Sequence, residues 1–429
     1  MARTSEFDLH DEFPDRAMVG RIYRTDTLGE GPRARTSVEF DALDERHLEL
    51  GDNLRGLFLS DNVKPFGLVR VLTTISRFAQ VIGREPVEGE WYRFQLLPRP
   101  VAMAKRFTDK LTAWHVQLTD RGYTQRSRGY IIGAEFLQRD GERPLKSLGA
   151  AVPLTQTQRQ AAIAAAQFPN FKPANNGIVA TLLQSFGAVE TVQVHDVGQA
   201  NFLTMYDAAD KPIVHFDAGW PIGFNGETAP KDPPLCHKVP VILSHWDWDH
   251  LSGYYRFGDL QSVKWVTPVQ YLGFGAGRVA TRLDNKGLLH GYSGPVLNAG
   301  SLTLGVCNGP ANNKNQTGLA LRVALPPKAT NGAGPRAVLL TGDADYDHVP
   351  ATLRASPLHA LLVTHHGANF EGSVPVGPAG SGRAIVSVGR GNRYKHPKAA
   401  ALKLHNSANW RCQMTMYWAA IPRGPRWFT

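Results

Sequence analysis

The sequence predicts an α/β fold in which buried strands end at residues that can bind metal ions. An apolar run at residues 239–243 is followed at once by a cluster of two histidines and two aspartates. Apolar runs at residues 336–340 and 361–363 lead in the same way to Asp343 and to the pair His365 and His366. Strands of α/β folds present functional side chains at their carboxyl ends, so these three endings predict one shared site.

The densest ending is the segment HWDWDH at residues 245–250. Two imidazoles and two carboxylates this close together are costly to bury without a partner, and a divalent cation is the usual partner. The alternative interpretation is a solvated acidic turn that contains two histidines by chance. The potential ligands in this segment are His245, Asp247, Asp249 and His250.

Two further strand endings extend this set of polar residues. The run at residues 213–216 ends at Asp217, and the run at residues 384–388 enters a glycine-rich loop that carries His396. Residues 191–194 and 213–216 are expected to form the first strand pair of the C-terminal domain. The segments at residues 155–168 and 271–287 are helical candidates.

Six motifs in a fixed order resemble those of the metallo-β-lactamase superfamily. They are HDVGQ at 195–199, HWDWDH at 245–250, NNKNQTGLAL at 312–321, TGD at 341–343, HHG at 365–367 and SVGRGNRYKHP at 387–397. Asp247 stands where most of the superfamily has a second histidine, which is similar to the soluble hydrolase domain of ComEC-type DNA-uptake proteins. The resemblance covers about residues 188–400.

The resemblance implies an αββα sandwich for a hydrolase domain at residues 186–429. Residues 1–185 lie outside the resemblance and are expected to form a separate accessory domain. Strand-like pieces at residues 56–59, 68–72 and 91–97 predict that this N-terminal domain is β-rich or α+β.

The resemblance also implies a centre of two divalent ions, zinc or manganese. Such a centre would generate a hydroxide at neutral pH and hold the attacked phosphorus group. The implied ligands are His245 and Asp247 for one ion, Asp249, His250 and His366 for the other, and Asp343 as the bridge between them.

Two features of this ligand set depart from the family or stay open. Asp247 makes the site richer in oxygen, which shifts its preference towards manganese or another hard ion. Most of the superfamily supplies one more histidine, and the only candidate between residues 251 and 342 is His290. Whether His290 binds metal is left open, as is the choice between His365 and His366, of which His366 is favoured.

Further roles follow from the same resemblance. Asp249 could orient the attacking water, and His396, with Asn392 nearby, could stabilise the transition state or protonate the leaving oxygen. His365 is expected either to support the ligands or to contact the substrate, and Asp217 to support the metal-binding loop through hydrogen bonds. The expected substrate-binding residues are Arg390, Arg393, Tyr394 and Lys395.

The charge distribution indicates an anionic partner. The chain has a formal net charge of +10, and residues 372–429 contain nine Lys/Arg and no Asp or Glu. Basic residues interleaved with aromatic ones are typical of grooves that follow a phosphate backbone and stack bases. A basic surface with a few aromatic residues on an edge strand is the alternative. The aromatic residues in question are Trp410, Tyr417, Trp418, Trp427 and Phe428.

Composition limits the compartment and the partners. The first twenty residues are polar, and no apolar run approaches the roughly 18 residues that span a membrane, so no membrane association is expected. Three widely spaced cysteines form no disulfide framework, which is typical of a reducing cytoplasm. The N-terminal domain is a possible binding site for a protein partner.

Three classes of function remain open on the sequence. The leading one is a metal-dependent phosphodiesterase, or nuclease, that acts on DNA or RNA. The second is a hydrolase of a small phosphodiester, such as a cyclic nucleotide or a phosphocholine-like group. The third is a non-catalytic binding module that retains a residual metal site.

Overall fold

The computed structural model describes residues 13–28, 34–48, 54–99, 110–139, 173–327, 336–416 and 422–429. The helix predicted at residues 155–168 lies outside these ranges, as do Tyr417 and Trp418 of the basic tail. The chain divides into two compact units. The first contains Met1–Asn170, Ile222–Gly226 and Tyr271–Asn285, and the second contains Phe171–Pro221, Glu227–Gln270 and Lys286–Thr429.

Helices are short throughout the described ranges. The helix predicted at residues 271–287 is confirmed, because α6 occupies most of it, whereas the strand predicted at residues 56–59 is wrong, because α1 lies there. Periodicity cannot separate a strand from a helix in so short an apolar run. No helix in the described ranges is long and apolar enough to cross a membrane. The helices are α1 (Leu54–Leu59), α2 (Ile75–Ile82), α3 (Asn176–Gln184), α4 (Trp248–Leu251), α5 (Gly253–Arg256), α6 (Phe274–Asn285), α7 (Ala351–Arg354) and α8 (Ala399–Ser407).

The first unit is built around a closed antiparallel barrel whose described strands follow the order β1-β2-β3-β5-β6-β4. Alternate side chains of these strands point inward, since successive side chains of a strand face opposite sides. Met18, Ile22, Phe40 and Val69 are among the residues that fill the interior. The strands are β1 (Arg16–Leu28), β2 (Arg35–Asp44), β3 (Phe66–Thr73), β4 (Glu90–Leu97), β5 (Lys110–Thr119) and β6 (Gly122–Arg139).

Helix α6 belongs to this first unit although it comes late in the chain. The Asp41 carboxylate on β2 accepts hydrogen bonds from the backbone N–H groups of Gly275, at 2.8 Å, and Ala276, at 3.2 Å. A carboxylate at the first turn satisfies N–H groups that have no partner within the helix and complements the helix dipole. Phe274 also packs edge-on against Trp91 of the barrel, with ring centroids 5.2 Å apart.

The second unit contains two mixed sheets, each of seven described strands. Their strand orders are β12-β11-β10-β9-β8-β7-β20 and β13-β14-β15-β16-β17-β18-β19. The strands of the first sheet are β7 (Thr191–Val194), β8 (Phe202–Tyr206), β9 (Pro212–Ala218), β10 (Val241–Ile242), β11 (Trp265–Pro268), β12 (Leu289–Tyr292) and β20 (Arg426–Phe428). Those of the second are β13 (Leu297–Ala299), β14 (Leu302–Val306), β15 (Leu319–Leu325), β16 (Arg336–Leu340), β17 (Ala360–Leu362), β18 (Gly382–Val386) and β19 (Trp410–Met414).

Each sheet has a run of parallel strands at the point where the predicted ligands emerge. In the first sheet β9, β10 and β11 are parallel neighbours, and in the second sheet β16, β17, β18 and β19 are. Phe216, Ile242, Val338 and Leu362 come from both sheets and share one buried apolar cluster. Parallel neighbours end on the same side, so each run brings its following loops together.

The predicted αββα sandwich is wrong as the fold of this chain. The described structure is predominantly β, with a closed antiparallel barrel and two seven-stranded sheets. Helices α4, α5 and α7 have only four residues each, and loops make many of the other connections. The 42 glycines and 29 prolines of the chain favour such loops over long helices.

The expected pairing of residues 191–194 with residues 213–216 is also wrong. Both segments are strands, but β8 lies between them and pairs with each. Sequence alone could not show this, because the β8 segment at residues 202–206 is a five-residue apolar run without a distinctive turn before it.

Two buried histidines, His195 just after β7 and His215 on β9, predict that acid destabilises the folded protein. Thr204 Oγ1 lies 2.7 Å from His195 Nε2 and 2.9 Å from His215 Nδ1. Burial is the main cause that lowers the pKa of His195 to about 3 and that of His215 to about 4. Both histidines therefore stay neutral in the folded protein down to a pH at which they are charged in the unfolded chain.

We expect the free energy of unfolding to fall as the pH drops from about 6.5 towards 4. Each histidine contributes a loss of roughly 2 kcal/mol at about pH 5, because the unfolded chain binds the proton that the folded protein excludes. Denaturant unfolding at neutral and acidic pH measures this loss. His215→Gln should reduce the pH dependence and His348→Gln should not; equal pH dependence in His215→Gln and the parent protein would contradict the interpretation.

Candidate metal centre

The predicted ligands meet beyond the ends of the parallel strands. Asp217 stands at the end of β9, His245 follows β10, Asp343 follows β16, and His366 follows β17. The loop after β16 needs a glycine at Gly342, whose φ is +57° and where a Cβ would lie 2.5 Å from Ser244 Cβ. The TGD sequence thus lets two strand-end loops of the centre approach each other closely.

Asp217 organises the loop that carries HWDWDH. Its carboxylate accepts hydrogen bonds from the Ser244 backbone N–H at 2.6 Å, from the Ser244 hydroxyl at 2.9 Å and from His250 Nδ1 at 2.7 Å. Asp217 is fully buried and has a φ of +56°, a conformation that is uncommon for residues other than glycine. The structure therefore gives Asp217 the supporting position that the sequence predicted for it.

Three histidines are held in the same tautomer by their Nδ1 atoms. His250 Nδ1 faces Asp217, His366 Nδ1 lies 2.7 Å from the Ser387 carbonyl oxygen, and His245 Nδ1 lies 3.0 Å from the Ser244 hydroxyl oxygen. A carbonyl or carboxylate oxygen can only accept, so Nδ1 of His250 and of His366 carries the hydrogen. The Ser244 hydroxyl gives its one hydrogen to Asp217, so its oxygen is available to accept from His245 Nδ1. In this arrangement each Nε2 is left with a lone pair. Metal-binding histidines are oriented in this way.

The Nε2 lone pairs converge on carboxylate oxygens. His250 Nε2 lies 3.1 Å from Asp343 Oδ1 and 4.0 Å from Asp249 Oδ1. His366 Nε2 lies 3.4 Å from Asp249 Oδ2 and 3.9 Å from Asp343 Oδ1. Two groups of three have ligand atoms close enough to share one ion: His245 with His250 and Asp343, and Asp249 with His250 and His366.

This donor set fits a divalent cation. Within the described part of the chain, the Nε2 atoms of His245, His250 and His366 and both Asp343 oxygens are buried and make no hydrogen bond. Lone pairs that face carboxylate oxygens across 3–4 Å repel one another unless a positive charge lies between them. Mixed nitrogen and oxygen donors suit zinc and manganese.

The electrostatics of the ligands point the same way. Burial by itself lowers the pKa of His250, but the Asp343 and Asp217 carboxylates raise it well above its ordinary value. Burial raises the pKa of Asp343, yet the surrounding imidazoles, of which His250 acts most strongly, hold it well below its ordinary value. Without a metal ion the carboxylates thus favour a protonated His250, and a divalent cation would supply the same positive charge in place of the proton.

Asp247 is placed differently from its predicted role as a partner of His245. Its Oδ2 atom lies 3.7 Å from His245 Nε2, while its Oδ1 atom lies 2.6 Å from the ammonium nitrogen of Lys314. Burial raises the pKa of Asp247, but Lys314 and His245 outweigh this effect and hold it below its usual range. Asp247 belongs to neither of the two groups that could share an ion.

His365 and His396 lie beside the ligands. His365 Nε2 is 3.5 Å from Asp343 Oδ2, its side chain is 15% exposed, and its ring meets the His396 ring edge-on at 5.6 Å. His366 is almost fully buried, so the structure places His366 among the possible ligands and His365 at their edge. Both have a positive φ, +49° for His365 and +52° for His366.

The loop at residues 389–397 separates buried from exposed side chains. Asn392, Tyr394 and His396 are buried, whereas Arg390, Arg393 and Lys395 are exposed. The Asn392 amide donates to the Gly389 and His396 carbonyl oxygens, at 2.8 and 2.7 Å, and accepts from the His396 N–H at 3.0 Å.

This pattern bears on two predicted roles, which stay predictions. Both Asn392 N–H donors hold its own loop, so the structure places Asn392 as a support for His396. Tyr394 is only 2% exposed and packs near the His396 ring, so its predicted contact with substrate is not supported by its position. Arg390, Arg393 and Lys395 keep the exposure that substrate binding requires.

The basic tail is less available than its composition predicted. Arg423 pairs with Asp196, and Arg393 pairs with Glu227 at 2.6 Å. Trp410 and Phe428 are each 1% exposed and belong to apolar clusters, so they are core residues and not a surface for stacking bases. Trp427 is part-buried, and its ring packs against that of Tyr206 with centroids 5.5 Å apart, so all three of these tail residues take part in packing.

His290 lies away from the centre. It stands on β12, at the edge of the first sheet, and lines a cleft of about 530 Å³ together with Lys264 and one face of α3. It is absent from both groups of described residues that could share an ion. His290 is therefore not among the candidate ligands that the structure brings together.

Sequence reasoning missed two residues of the centre. Ser244 connects Asp217 to His245 through its hydroxyl, and Lys314 pairs with Asp247. Ser244 immediately precedes the HWDWDH segment, and this position next to the predicted ligands could have indicated its role. Lys314 lies within the motif at residues 312–321, but nothing in the sequence indicates that it pairs with Asp247, which is far away in the chain.

The sequence matches no model of a known protein family, and no curated protein matches it. The metallo-β-lactamase and ComEC resemblance, which depends on short motifs alone, therefore stays a prediction.

We expect Asp217→Asn to weaken divalent-ion binding by about 10–100-fold, because the asparagine amide cannot hold both Ser244 and the His250 Nδ1–H. Competition with a metal-sensitive dye, with zinc and with manganese, measures this affinity. Asp345→Asn is the matched control, since Asp345 is also buried and accepts a backbone N–H, that of Glu371 at 3.0 Å. Equal affinity in Asp217→Asn and Asp345→Asn would show that Asp217 does not orient a ligand.

Proposed function

We propose that this protein is a divalent-metal-dependent phosphodiesterase that hydrolyses DNA or RNA. The observation that carries the proposal is the convergence of fixed Nε2 lone pairs of His250 and His366 on the oxygens of Asp249 and Asp343. Buried imidazoles and carboxylates that neighbouring groups hold in a fixed orientation are typical of catalytic metal centres. The motif resemblance to ComEC-type hydrolase domains supports the phosphodiester substrate.

One set of residues would bind the metal ion, and another set orients these ligands. Asp249, His250, Asp343 and His366 would hold the metal, with Zn²⁺ and Mn²⁺ as the expected ions. A divalent cation held there lowers the pKa of water and polarises a phosphoryl oxygen. Asp217 and the Ser387 carbonyl keep the His250 and His366 rings in the orientation that exposes Nε2.

His365 and His396 are placed to act on the substrate. His365 is partly exposed beside Asp343 and could donate a hydrogen bond to a phosphoryl oxygen. His396 is held by Asn392 next to His365 and could protonate the leaving oxygen. Asp249 could accept a proton from the attacking water.

Positive charge near the centre supports a polyanionic substrate. Arg390 and Lys395 are exposed on the loop that carries His396, and exposed basic residues bind a phosphate backbone without sequence preference. The net charge of +10 supports a polyanion as well.

A small phosphodiester is the second candidate substrate. The burial of Trp410 and Phe428 and the pairing of Arg393 with Glu227 favour it, because a polymer groove would use free arginines and exposed rings.

A reducing compartment such as the cytoplasm is part of the proposal. All three cysteines are free thiols. Burial raises the pKa of Cys307 to about 12 and is the main cause that raises that of Cys236 to about 12, so these thiols are poor nucleophiles. A protein partner of the first unit remains a prediction.

We expect metal-stripped protein to regain cleavage of labelled single-stranded or double-stranded DNA or RNA when Mn²⁺ or Zn²⁺ is added. Asp343→Asn should lose roughly a hundredfold or more of this activity, because it removes a charged ligand atom next to His250. Asp232→Asn, an exposed change, is the control.

The outcomes separate the candidate functions. Cleavage of a generic aryl phosphodiester without cleavage of any polymer would favour the small-molecule substrate. No turnover of either substrate with metal present would contradict the enzyme and favour a binding module.

We also expect the Arg390→Ala, Lys395→Ala double variant to bind a nucleic acid more weakly and with a shallower dependence on salt. Each lost phosphate contact lowers the slope of log affinity against log salt by about one. Titration of a labelled oligonucleotide at several salt concentrations measures the slope. Lys211→Ala with Lys238→Ala removes the same charge from other exposed sites, and an equal loss there would mean that only net charge matters.

A further inference from the structure

The ion pair of Lys314 with Asp247 is buried in the wall of the centre. The Lys314 side chain is 6% exposed and that of Asp247 is 1% exposed, with 2.6 Å between Nζ and Oδ1. Lys314 begins the 3₁₀ turn Asn315–Thr317, and its carbonyl oxygen accepts a hydrogen bond from Gln270 Nε2 at 2.8 Å. The backbone hydrogen bond thus holds Lys314 in place, and its ammonium group puts a positive charge next to Asp247.

We propose that Lys314 takes the place of one of two cations, so that the chain binds a single divalent ion through Asp249, His250, Asp343 and His366. This inference rests on the proposed function, since it concerns the metal content of the same site. It assigns Asp247 to the lysine and not to a metal ion.

The spacing of the four ligand atoms suits one ion. Asp343 Oδ1 lies 3.1 Å from His250 Nε2 and 3.9 Å from His366 Nε2. Asp249 lies 4.0 Å from His250 Nε2 through Oδ1 and 3.4 Å from His366 Nε2 through Oδ2, so one of its two oxygens would serve as the ligand. Four donors in a tetrahedron around an ion at about 2.1 Å lie roughly 3.4 Å apart, which follows from the usual bond lengths. Asp249 and Asp343 belong to different groups of three, so one of these carboxylates has to move towards the other before all four donors reach that distance.

The two possible ion-sharing groups compete for the same atom. Both contain His250. His250 Nδ1 is held by Asp217, so only the Nε2 lone pair is available, and one lone pair binds one ion. The groups are therefore alternatives for a single ion and cannot both be filled in this arrangement.

The remaining donors do not make a second complete site. His245 Nε2 lies 3.7 Å from Asp247 Oδ2 and 4.0 Å from Asp343 Oδ2. A second divalent ion there would share the Asp247 carboxylate with the Lys314 ammonium, and two cations on one buried carboxylate repel each other. His290, the further histidine that could have strengthened this half, lies on the edge strand β12.

Metal content of the full-length protein tests the inference. Metal-stripped protein is equilibrated with Mn²⁺ or Zn²⁺, freed of excess ion and analysed by elemental mass spectrometry. We expect about one ion per chain in the parent protein and in Lys314→Arg, which keeps the positive charge. Lys314→Met should raise the content towards two, because Asp247 becomes available to a second ion, whereas the exposed control Lys238→Met should leave it at one.

Two aspartate variants make the test independent of the lysine variants. Asp247→Asn should retain the single ion, and Asp249→Asn should lose most of it at the same free metal concentration. If Lys314→Met fails to fold, these two variants and the number of ions bound per chain in the parent protein still test whether the centre binds a single ion.

Two ions in the parent protein would overturn the inference and leave metal-dependent hydrolysis intact. Loss of the ion in Asp247→Asn, or an unchanged count in folded Lys314→Met, would also overturn it. No bound ion in the parent protein would overturn both this inference and the proposed function.

Discussion

The hydrogen bond from His250 Nδ1 to Asp217 is the constraint on which the centre depends. It decides which nitrogen of His250 carries the hydrogen, and so directs the Nε2 lone pair towards Asp343. The same carboxylate binds the backbone and hydroxyl of Ser244, which in turn orients His245. One buried aspartate at the end of β9 therefore positions a loop that comes from the neighbouring strand β10.

The centre is maintained against local backbone strain. Asp217, His365 and His366 all have a positive φ, which costs about 1–3 kcal/mol at each residue that is not glycine. The parallel strands β9 with β10, and β16 with β17, supply the rigid support that holds these conformations. Residues with strained backbone conformations are concentrated at functional sites. Here they lie next to histidine Nε2 atoms that make no hydrogen bond to any described residue, which agrees with a role in binding or catalysis.

Charge is distributed between fixed and exposed groups. Lys314 is buried on Asp247, while Arg390 and Lys395 remain exposed on the loop that carries His396. A buried ammonium keeps one position in the centre permanently positive, whereas exposed basic residues attract a polyanion over a distance that salt shortens. Under the proposed function, this division would assign metal content to Lys314 and Asp247 and substrate capture to Arg390 and Lys395.

The sequence by itself predicted most of the residues that meet at the centre, though not Ser244 and Lys314, because strand ends in parallel sheets bring their loops to one place. The strands that lead to Asp217, Asp343 and His366 are all present in the structure. The αββα prediction failed, because short motifs report site residues and not the helices or the closed barrel around them. Only the tertiary structure decided the pairing of Asp247 with Lys314 and the loop-holding role of Asn392, because both depend on which distant or neighbouring groups the folded backbone brings within hydrogen-bond distance.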